Sequence, residues 1–465
     1  MAAEPMLPDG WKLDTLSEVL ESHRGGVWGP EAGEGAGYPV LRSTNMRGGR
    51  LDFNNVARCR ISDSVAQECA LIPGDILVSK SSGSPHLVGL SALYQGAPDN
   101  GTYVFSNFTM RLRPDRSRIR PEYLALFLAS SKAEADRRRM AQDTTGLRNL
   151  RTREYMAQVL PLPPLPEQQR LVEKLERLLV QSRTAREALD RIPPLLKRFR
   201  QAVLAKAFRG ELTERDPSDE PAELLLSAPA GKQSPKKRAG RLWGSGVVPG
   251  LTNKERRSLP ETWAWAKVGD LGERREETVQ VGPMSMRSKD LGVSGVPVLN
   301  VGCIRWGYID ERKLDFMPDS LAGAFERYRV KTGDVMFTRS GTVGRSAVVQ
   351  PTQEGWLMTF HLLRVRVSPA KCLPEYLQLV FQGARHVGRQ TSDASIGTTR
   401  AGFNTNLLAM LDVPLAPLGE QRRIVDEVKA LFAQADAIEQ AAVKARQRSE
   451  QVDQAVLARA FRGGL

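Results

Sequence analysis

Four cysteines and four histidines are all that 465 residues carry, and that scarcity removes whole classes of chemistry. Cys59, Cys69, Cys303 and Cys372 fall two to each half with no Cys-x-x-Cys pair. Neither a zinc site nor a disulfide framework is indicated, and reduced thiols of a cytoplasmic protein are expected. His23, His86, His361 and His386 share no spacing, so packing is their expected role rather than catalysis or metal binding. No Gly-x-x-x-x-Gly-Lys-Ser/Thr loop and no Gly-x-Gly-x-x-Gly turn occurs, which leaves no phosphate cradle to argue from. An adenine-modifying methyltransferase needs a polar residue, two prolines and an aromatic to grip a flipped base. The nearest match, Ile192-Pro193-Pro194-Leu195, is apolar at both ends. Asp75 followed by Lys80 hints at a nuclease, but the second half has Asp334 and Arg339 and no preceding metal-binding acid. A strand followed by a basic loop accounts for both. Apolar runs such as 123–129 fall far short of the ~20 residues that span a bilayer. The opening MAAEPMLPDG has an acid and no basic-then-apolar signal pattern, so no membrane is expected. Nothing here commits the chain to an enzyme.

What is present is positive charge and repetition. Lys and Arg number 67 against 53 Asp and Glu, and the pI is about 9.8; a basic chain of this kind points to a polyanion, nucleic acid first. AVLAKAFRGEL at 202–212 returns as AVLARAFRGGL at 455–465, and LPLPPLPEQQRLV at 160–172 answers DVPLAPLGEQRRIV at 412–425. A repeat of this span is a duplicated domain with its trailing helix.

Both halves open alike, Leu7-Pro8-Asp9-Gly10-Trp11 and Leu259-Pro260-Glu261-Thr262-Trp263. Tyr38-Pro39-Val40-Leu41 matches Val296-Pro297-Val298-Leu299, Gly74-Asp75-Ile76-Leu77-Val78 matches Gly333-Asp334-Val335-Met336-Phe337, and Met110-Arg111-Leu112-Arg113 matches Leu363-Arg364-Val365-Arg366. A Gly-Asp turn before an apolar run predicts a buried strand. Pro121-Glu122-Tyr123-Leu124 and Pro374-Glu375-Tyr376-Leu377 each predict a helix with proline in its first turn. The class is therefore α/β: similar domains over 1–160 and 259–413, followed by helices over 161–212 and 414–465.

In each helix an apolar or small residue recurs at alternating spacings of four and three. The series runs Leu171, Leu175, Leu178, Ser182, Ala185, Leu189, Ile192, Leu196, Phe199, Val203, and, in the second copy, from Ile424 to Val456. These are coiled-coil seams, and a lone helix with such a stripe needs a partner, so each is expected to pack on the other. Glu167-Gln168-Gln169 and Glu420-Gln421 place acids and amides where first-turn donors lack partners. Pro193-Pro194 should kink the first helix. Residues 213–258, rich in Pro, Ser, Ala and Gly, read as a flexible charged linker.

Polar, glycine-containing loops carry the candidate DNA contacts. Lys80 and Ser81 follow one Gly-Asp strand and Arg339 and Ser340 the other. Arg42, Asn45 and Arg47 in one half, and Asn300 and Arg305 in the other, follow the Pro-Val-Leu strands; Arg148 and Arg400 precede the proline-rich helix entries. Hydroxyls and glycine amides suit phosphate oxygens, and guanidinium or amide groups suit base edges.

With these blocks in place the layout resembles the specificity subunit of type I restriction–modification enzymes over nearly the whole chain. The residues bearing the likeness are the Pro-rich entries at Pro161–Val172 and Pro414–Val425, the Gly-Asp strands, and the Ala-Phe-Arg-Gly ends at Ala207 and Ala460. The Pro193-Pro194 pair and the long linker depart from a typical member. The resemblance implies two target-recognition domains, spacer helices that pair antiparallel as a ruler, and double-stranded DNA with a bipartite asymmetric site. It implies two methyltransferase subunits and restriction motor-nuclease subunits as partners, docking on helix faces such as Glu173, Lys174, Arg177 and Arg183. S-adenosylmethionine, ATP and Mg would then sit on those partners and no cofactor on this chain. The alternative is a duplicated nucleic-acid-binding adaptor of another bacterial defence or processing complex.

Overall fold

The computed structural model describes residues 7–33, 35–84, 87–144, 147–227, 250–339, 343–384, 386–390 and 404–465. The chain divides into two compact units: unit 1, Met1–Arg191 with Ala442–Leu465, and unit 2, Ile192–Ala441. The strands that matter for the site are β1 (Leu20–Gly25), β2 (Ile76–Ser79), β3 (Ser91–Leu93) and β4 (Thr109–Pro114) in unit 1, with β5 (Val279–Val281), β6 (Val335–Thr338), β7 (Ser346–Val348) and β8 (Leu362–Val365) in unit 2. The helices are α1 (Pro121–Leu128), α2 (Leu165–Asp190), α3 (Ile192–Ala207), α4 (Pro374–Gly383) and α5 (Leu418–Ala460).

In unit 1 the sheet runs β1-β4-β2-β3 with every neighbour antiparallel. Ile76 and Val78 of β2 face α1 and its Tyr123, Leu124 and Phe127. Leu77 points the other way, into a cluster with Val40, Leu41 and Phe105. A strand covered on both faces needs apolar residues at consecutive positions rather than at alternate ones. That is why the run after Gly74-Asp75 is legible as a buried strand. Unit 2 repeats the plan as β5-β8-β6-β7, again antiparallel, with α4 over one face. The expected α/β class and the expected strands and proline-started helices are present in both halves.

Three side-chain pins occur twice. Tyr123 donates its hydroxyl to the carbonyl of Pro161 at 2.9 Å, and Tyr376 does the same to Pro414 at 2.9 Å. Gln168, fully buried, donates to the carbonyls of Arg118 and Pro163 and accepts from the amide of Arg120. Gln421 repeats this with Lys371, Ala416 and Leu373. The glutamine of each Glu-Gln motif therefore ties its helix to the turn before α1 or α4, instead of capping first-turn donors as anticipated. Gln168→Ala strands three backbone groups in a dry setting. It should lower stability by about 2 kcal/mol, measured by urea unfolding, and a loss under about 0.5 kcal/mol would remove the pin's structural role.

The repeated tails cross over. Phe461, at the end of α5, packs edge-on against Tyr123 and Phe127 of unit 1, with centroids 5.3 and 5.4 Å away. Phe208, after α3, packs on Tyr376 of unit 2 at 6.0 Å. The end of each half's helix thus seals the domain of the other half.

Within unit 1, Arg186 pairs with Asp453 and Arg446 with Asp190. Residue numbers rise along α2 as they fall along α5, so the two run antiparallel. In unit 2, Arg200 reaches Asp436 at 2.6 Å and Glu439 at 3.0 Å. The expected seam is buried at Leu171, Leu175, Leu196, Val203, Ile424, Val428, Ala435 and Ala442. Leu178, Phe199, Ile438 and Val452 are instead exposed, and Asp453 turns inward where Val452 was expected. The neighbouring arginine explains the substitution: Arg186 offers Asp453 an ion pair. Pro193-Pro194 does more than kink the helix. α2 ends at Asp190, and α3 starts at Ile192 with both prolines in its first turn, where a missing N–H leaves no bond unmade.

Both ends of the stretch read as a flexible linker are held to unit 2. Ala222 is fully buried, Leu225 and Leu226 pack on the core, and Asp219 pairs with Arg423 at 2.5 Å. On the other side Glu255 pairs with Arg389 at 2.8 Å. Composition alone misses this because Leu225 and Leu226 find an apolar seat, while Leu224 stays exposed. Basic residues Lys232 to Arg241 lie outside the described residues.

Candidate nucleic-acid interface

Each Gly-Asp strand carries a buried ion pair at its start and a basic residue at its end. Asp75 is 1% exposed; Arg113 of β4 holds it through two bonds, at 2.8 and 2.9 Å. Asp334, equally buried, is held by Arg366 just beyond β8 through two bonds of 2.6 Å. These carboxylates are therefore spent on the framework, and the hint of a nuclease in Asp75 and Lys80 disappears.

At the far end of β2, the amide of Lys80 donates to the carbonyl of Phe108 at 2.8 Å, and Leu150 donates back to the carbonyl of Lys80 at 2.8 Å. Arg148 lies opposite Ser82 in a short antiparallel ladder. Lys80, Ser81 and Arg148, distant in sequence, thus gather on one edge. Ser81 is 7% exposed and bonds the side chain of Asn149 at 2.5 Å, so it supports that edge. In unit 2 the amide of Arg339 donates to the carbonyl of His361 at 3.3 Å. Its guanidinium lies 4.4 Å above the Phe360 ring, and burial lowers its pKa from the ordinary arginine value. Ser340 and Arg400 lie outside the described residues.

The remaining candidates belong to a β-hairpin that appears once in each unit. In unit 1 Met46–Arg47 pairs with Arg50–Leu51; in unit 2 the legs meet at the bridge between Ile304 and Ile309. Asp52 donates its amide to Asn45 at 2.7 Å, and Asp310 donates its amide to Cys303 at 2.8 Å. Arg47 lies 3.8 Å from Asp52 and Arg305 lies 3.6 Å from Asp310, so Arg47 and Arg305 are equivalent. Asp310 is held down at about 2, first by the hydrogen bond from Arg312 against opposing burial, with Arg305 adding to the effect.

Asn45 does not face outward. It is 3% exposed, accepts from the amide of Arg42, and donates to the carbonyls of Asp52 and Asn54. Asn300 likewise donates to Lys313 and Asp315 and accepts from Cys303. A buried amide such as that of Asn45 must satisfy its own bonds first, and half-buried Asn300 spends its amide in the same way, so both asparagines brace the hairpins. Arg42 spends one donor on the carbonyl of Asn55 at 3.1 Å. The exposed polar tips belong to Arg47, and to Arg312, which the sequence reading passed over. Arg50, Trp306 and Tyr308 were also passed over, because the hairpins align at an offset of 258 and the chain ends at 253.

The four cysteines are all buried and unpaired. His386 is half-buried in unit 2 against the Trp265 ring at 4.8 Å, its pKa lowered chiefly by burial. Among the described residues no three His, Cys, Asp or Glu side chains converge to hold a metal, and no helix is long and apolar enough to cross a membrane.

Comparison with known proteins places this frame. The family model for the type I restriction modification DNA specificity domain matches residues 8–192 and again 260–446. The chain is 28% identical to the EcoKI specificity subunit of Escherichia coli strain K12, over 99% of this chain and 90% of that one. It is 28% identical to the StySPI specificity subunit of Salmonella potsdam, with the same shares covered. A solved chain from work on complex assembly and conformational transition of the type I R-M system superposes with a TM-score of 0.69 at 19% identity, covering 99% of this chain and 100% of that one. The HsdS subunit from Thermoanaerobacter tengcongensis does so at 0.53 and 19%, over the full length of both.

Proposed function

The chain belongs to the type I restriction modification DNA specificity family, matched in both of its halves, and from that premise we propose that it reads a bipartite, asymmetric site on double-stranded DNA. As a specificity subunit it is a non-catalytic recognition component. Unit 1 reads one half of the site and unit 2 the other. Two modification subunits that carry S-adenosylmethionine methylate adenines within the site, and motor-nuclease subunits using ATP and Mg cut unmodified DNA. Arg47, Lys80 and Arg148 in unit 1, and Arg305, Arg339, Ser340 and Arg400 in unit 2, supply contacts to phosphate and bases, with the domains divided near residues 160 and 259.

The observation that carries this reading is the DNA specificity match found twice, at 8–192 and 260–446, on frames held by the same Tyr, Gln and Asp–Arg pins. Two frames that agree in their pins and differ in their loops suit two unlike half-sites. Exchanging residues 1–160 for the matching segment of a relative, in the chain assembled with its modification subunits, should change one half of the methylated site. Sequencing of methylated adenines reads the outcome. A change in both halves, or in neither, counts against the division of labour.

A further inference from the structure

The two hairpins hold the same place in each unit and share a first tip arginine, Arg47 or Arg305, but differ in the rest of their tips. Unit 1 presents Arg47-Gly48-Gly49-Arg50, and unit 2 presents Arg305-Trp306-Gly307-Tyr308. Both hairpins close through the Asp–Arg contact and the Asp amide bond described above. Both tip glycines are tied to the edge strand of the four-stranded sheet: the carbonyl of Gly49 accepts from Leu93 at 3.3 Å, and the amide of Gly307 donates to Ser346 at 2.9 Å. Gly48 and Gly49 both have positive φ, +55° and +77°, while in unit 2 only Gly307 does, at +87°. A two-residue turn with both φ positive is the tight type I′ connection, which strongly favours two glycines. The unit 2 turn needs only one glycine, which frees position 306 for a large side chain.

The tips are outward. Arg47 is 78% exposed along its side chain, and Trp306 and Tyr308 are 46% and 57% exposed although each is large and aromatic. The legs, by contrast, are core: Met46 is 3% and Ile304 is 0% exposed. A protein that keeps a hairpin's legs, its pins and its first tip arginine while exchanging Gly48 and Arg50 for Trp306 and Tyr308 is varying what the tip meets. In unit 1 further cations stand near. The pKa of Arg183 on α2 is lowered by burial first, and then by the charges of Arg50 and Arg186.

Resting on the specificity reading above, we propose that this hairpin is the exchangeable base-contacting finger of each unit. Arg47 and Arg50 present guanidinium donors to base edges in one half-site; Trp306 and Tyr308 lay ring faces against exposed base surface in the other. Guanidinium forks suit the acceptor pair on guanine. Aromatic side chains suit a base face or a thymine methyl, and they do not need hydrogen-bond partners on the base.

The test uses the full chain assembled with its modification subunits and a duplex library randomised across the methylated site. Trp306→Gly combined with Tyr308→Arg gives unit 2 the unit 1 tip. It should shift base preference by about tenfold or more at one or two positions of one half-site, leaving the other half as in the unaltered chain. Arg47→Ala with Arg50→Ala should do the converse in the other half. Retained discrimination in the untouched half reports that each variant is folded. A 2-aminopurine placed at the affected unit 2 position should change its emission on binding the unaltered chain and lose that change with the double variant. Unchanged preference in both half-sites overturns the proposal. So does a uniform loss of binding to all sequences with a shallower salt dependence, which would make the tips phosphate contacts. Absence of any sequence preference in the unaltered assembly would instead defeat the specificity reading itself.

Discussion

Phe461→Ala should destabilise unit 1 by about 3–5 kcal/mol, as expected for a buried phenylalanine cut back to a methyl. The residue is 8% exposed and stands in one cluster with Leu16, Tyr123, Phe127 and Leu160. Two edge-to-face ring contacts add to the area it buries. The informative part is where the damage falls. Phe461 ends the second half of the sequence, yet amides of the first domain, in β2 and α1, should lose exchange protection. Phe208→Ala should loosen β6 and α4 instead, through Tyr376. Hydrogen exchange resolves the two patterns. If Phe461→Ala opened unit 2 and spared α1, the cross-sealing of domains by opposite tails would be wrong. Gly463 sharpens the point, since a Cβ there would come within 2.0 Å of Pro8 in a backbone of positive φ. The repeated Ala-Phe-Arg-Gly is therefore a plug, with the aromatic as its body and the glycine as the turn that lets it seat.

This seating was half legible. The repeat itself is plain in the letters, and so are the strands after Gly74 and Gly333, because consecutive apolar residues have one explanation when both faces of a strand are covered. The helices at Pro121 and Pro374 announce themselves by proline in the first turn. The partner of a pin is another matter. Gln168 meets Arg118 and Arg120 about fifty residues away in sequence, and no periodicity encodes that distance. The seam failed at Val452 for a similar reason: a three-and-four pattern ranks residues by hydrophobicity, while the fold gave the inward position to Asp453 because Arg186 was there to meet it. Asn45 and Asn300 read as candidate DNA contacts because an asparagine in a loop looks the same whether it serves a ligand or its own turn. What separates them is local alignment of the two hairpins, which sets Asn45 opposite Cys303 and Arg47 opposite Arg305, and leaves Gly48 and Arg50 facing Trp306 and Tyr308 as the differing tip residues.

Asp75→Ala should cost unit 1 about 3–5 kcal/mol, the range for leaving one member of a buried ion pair behind. β4 carries two arginines on alternate positions, Arg111 and Arg113, facing the same side. Arg111 is 6% exposed, gives one donor to the carbonyls of Glu68 and Ala70, and has its pKa lowered by burial and then by Arg113. The Asp75 carboxylate is what balances that side of the strand, and it also accepts from the amide of Ile72 at 2.9 Å. Its removal leaves the Ile72 amide without that acceptor and sets Arg111 against Arg113 without a counter-charge. The equivalent Asp334→Ala should cost unit 2 a similar amount: Arg366 is 35% exposed against 21% for Arg113, but Arg364, only 6% exposed, also stands 3.8 Å from the Asp334 carboxylate. Urea unfolding of the two variants gives the comparison. A much smaller loss from Asp334→Ala would mean that the exposure of Arg366 alone governs the penalty and that Arg364 adds nothing to it. Asp75→Ala with Arg113→Met should recover much of the loss, since an apolar pair of similar volume can replace a buried ion pair at little cost. Function supplies the sharper readout. β2 runs directly from Asp75 to Lys80, so a strand released at its base should blur discrimination in the unit 1 half-site while the unit 2 half-site keeps its preference.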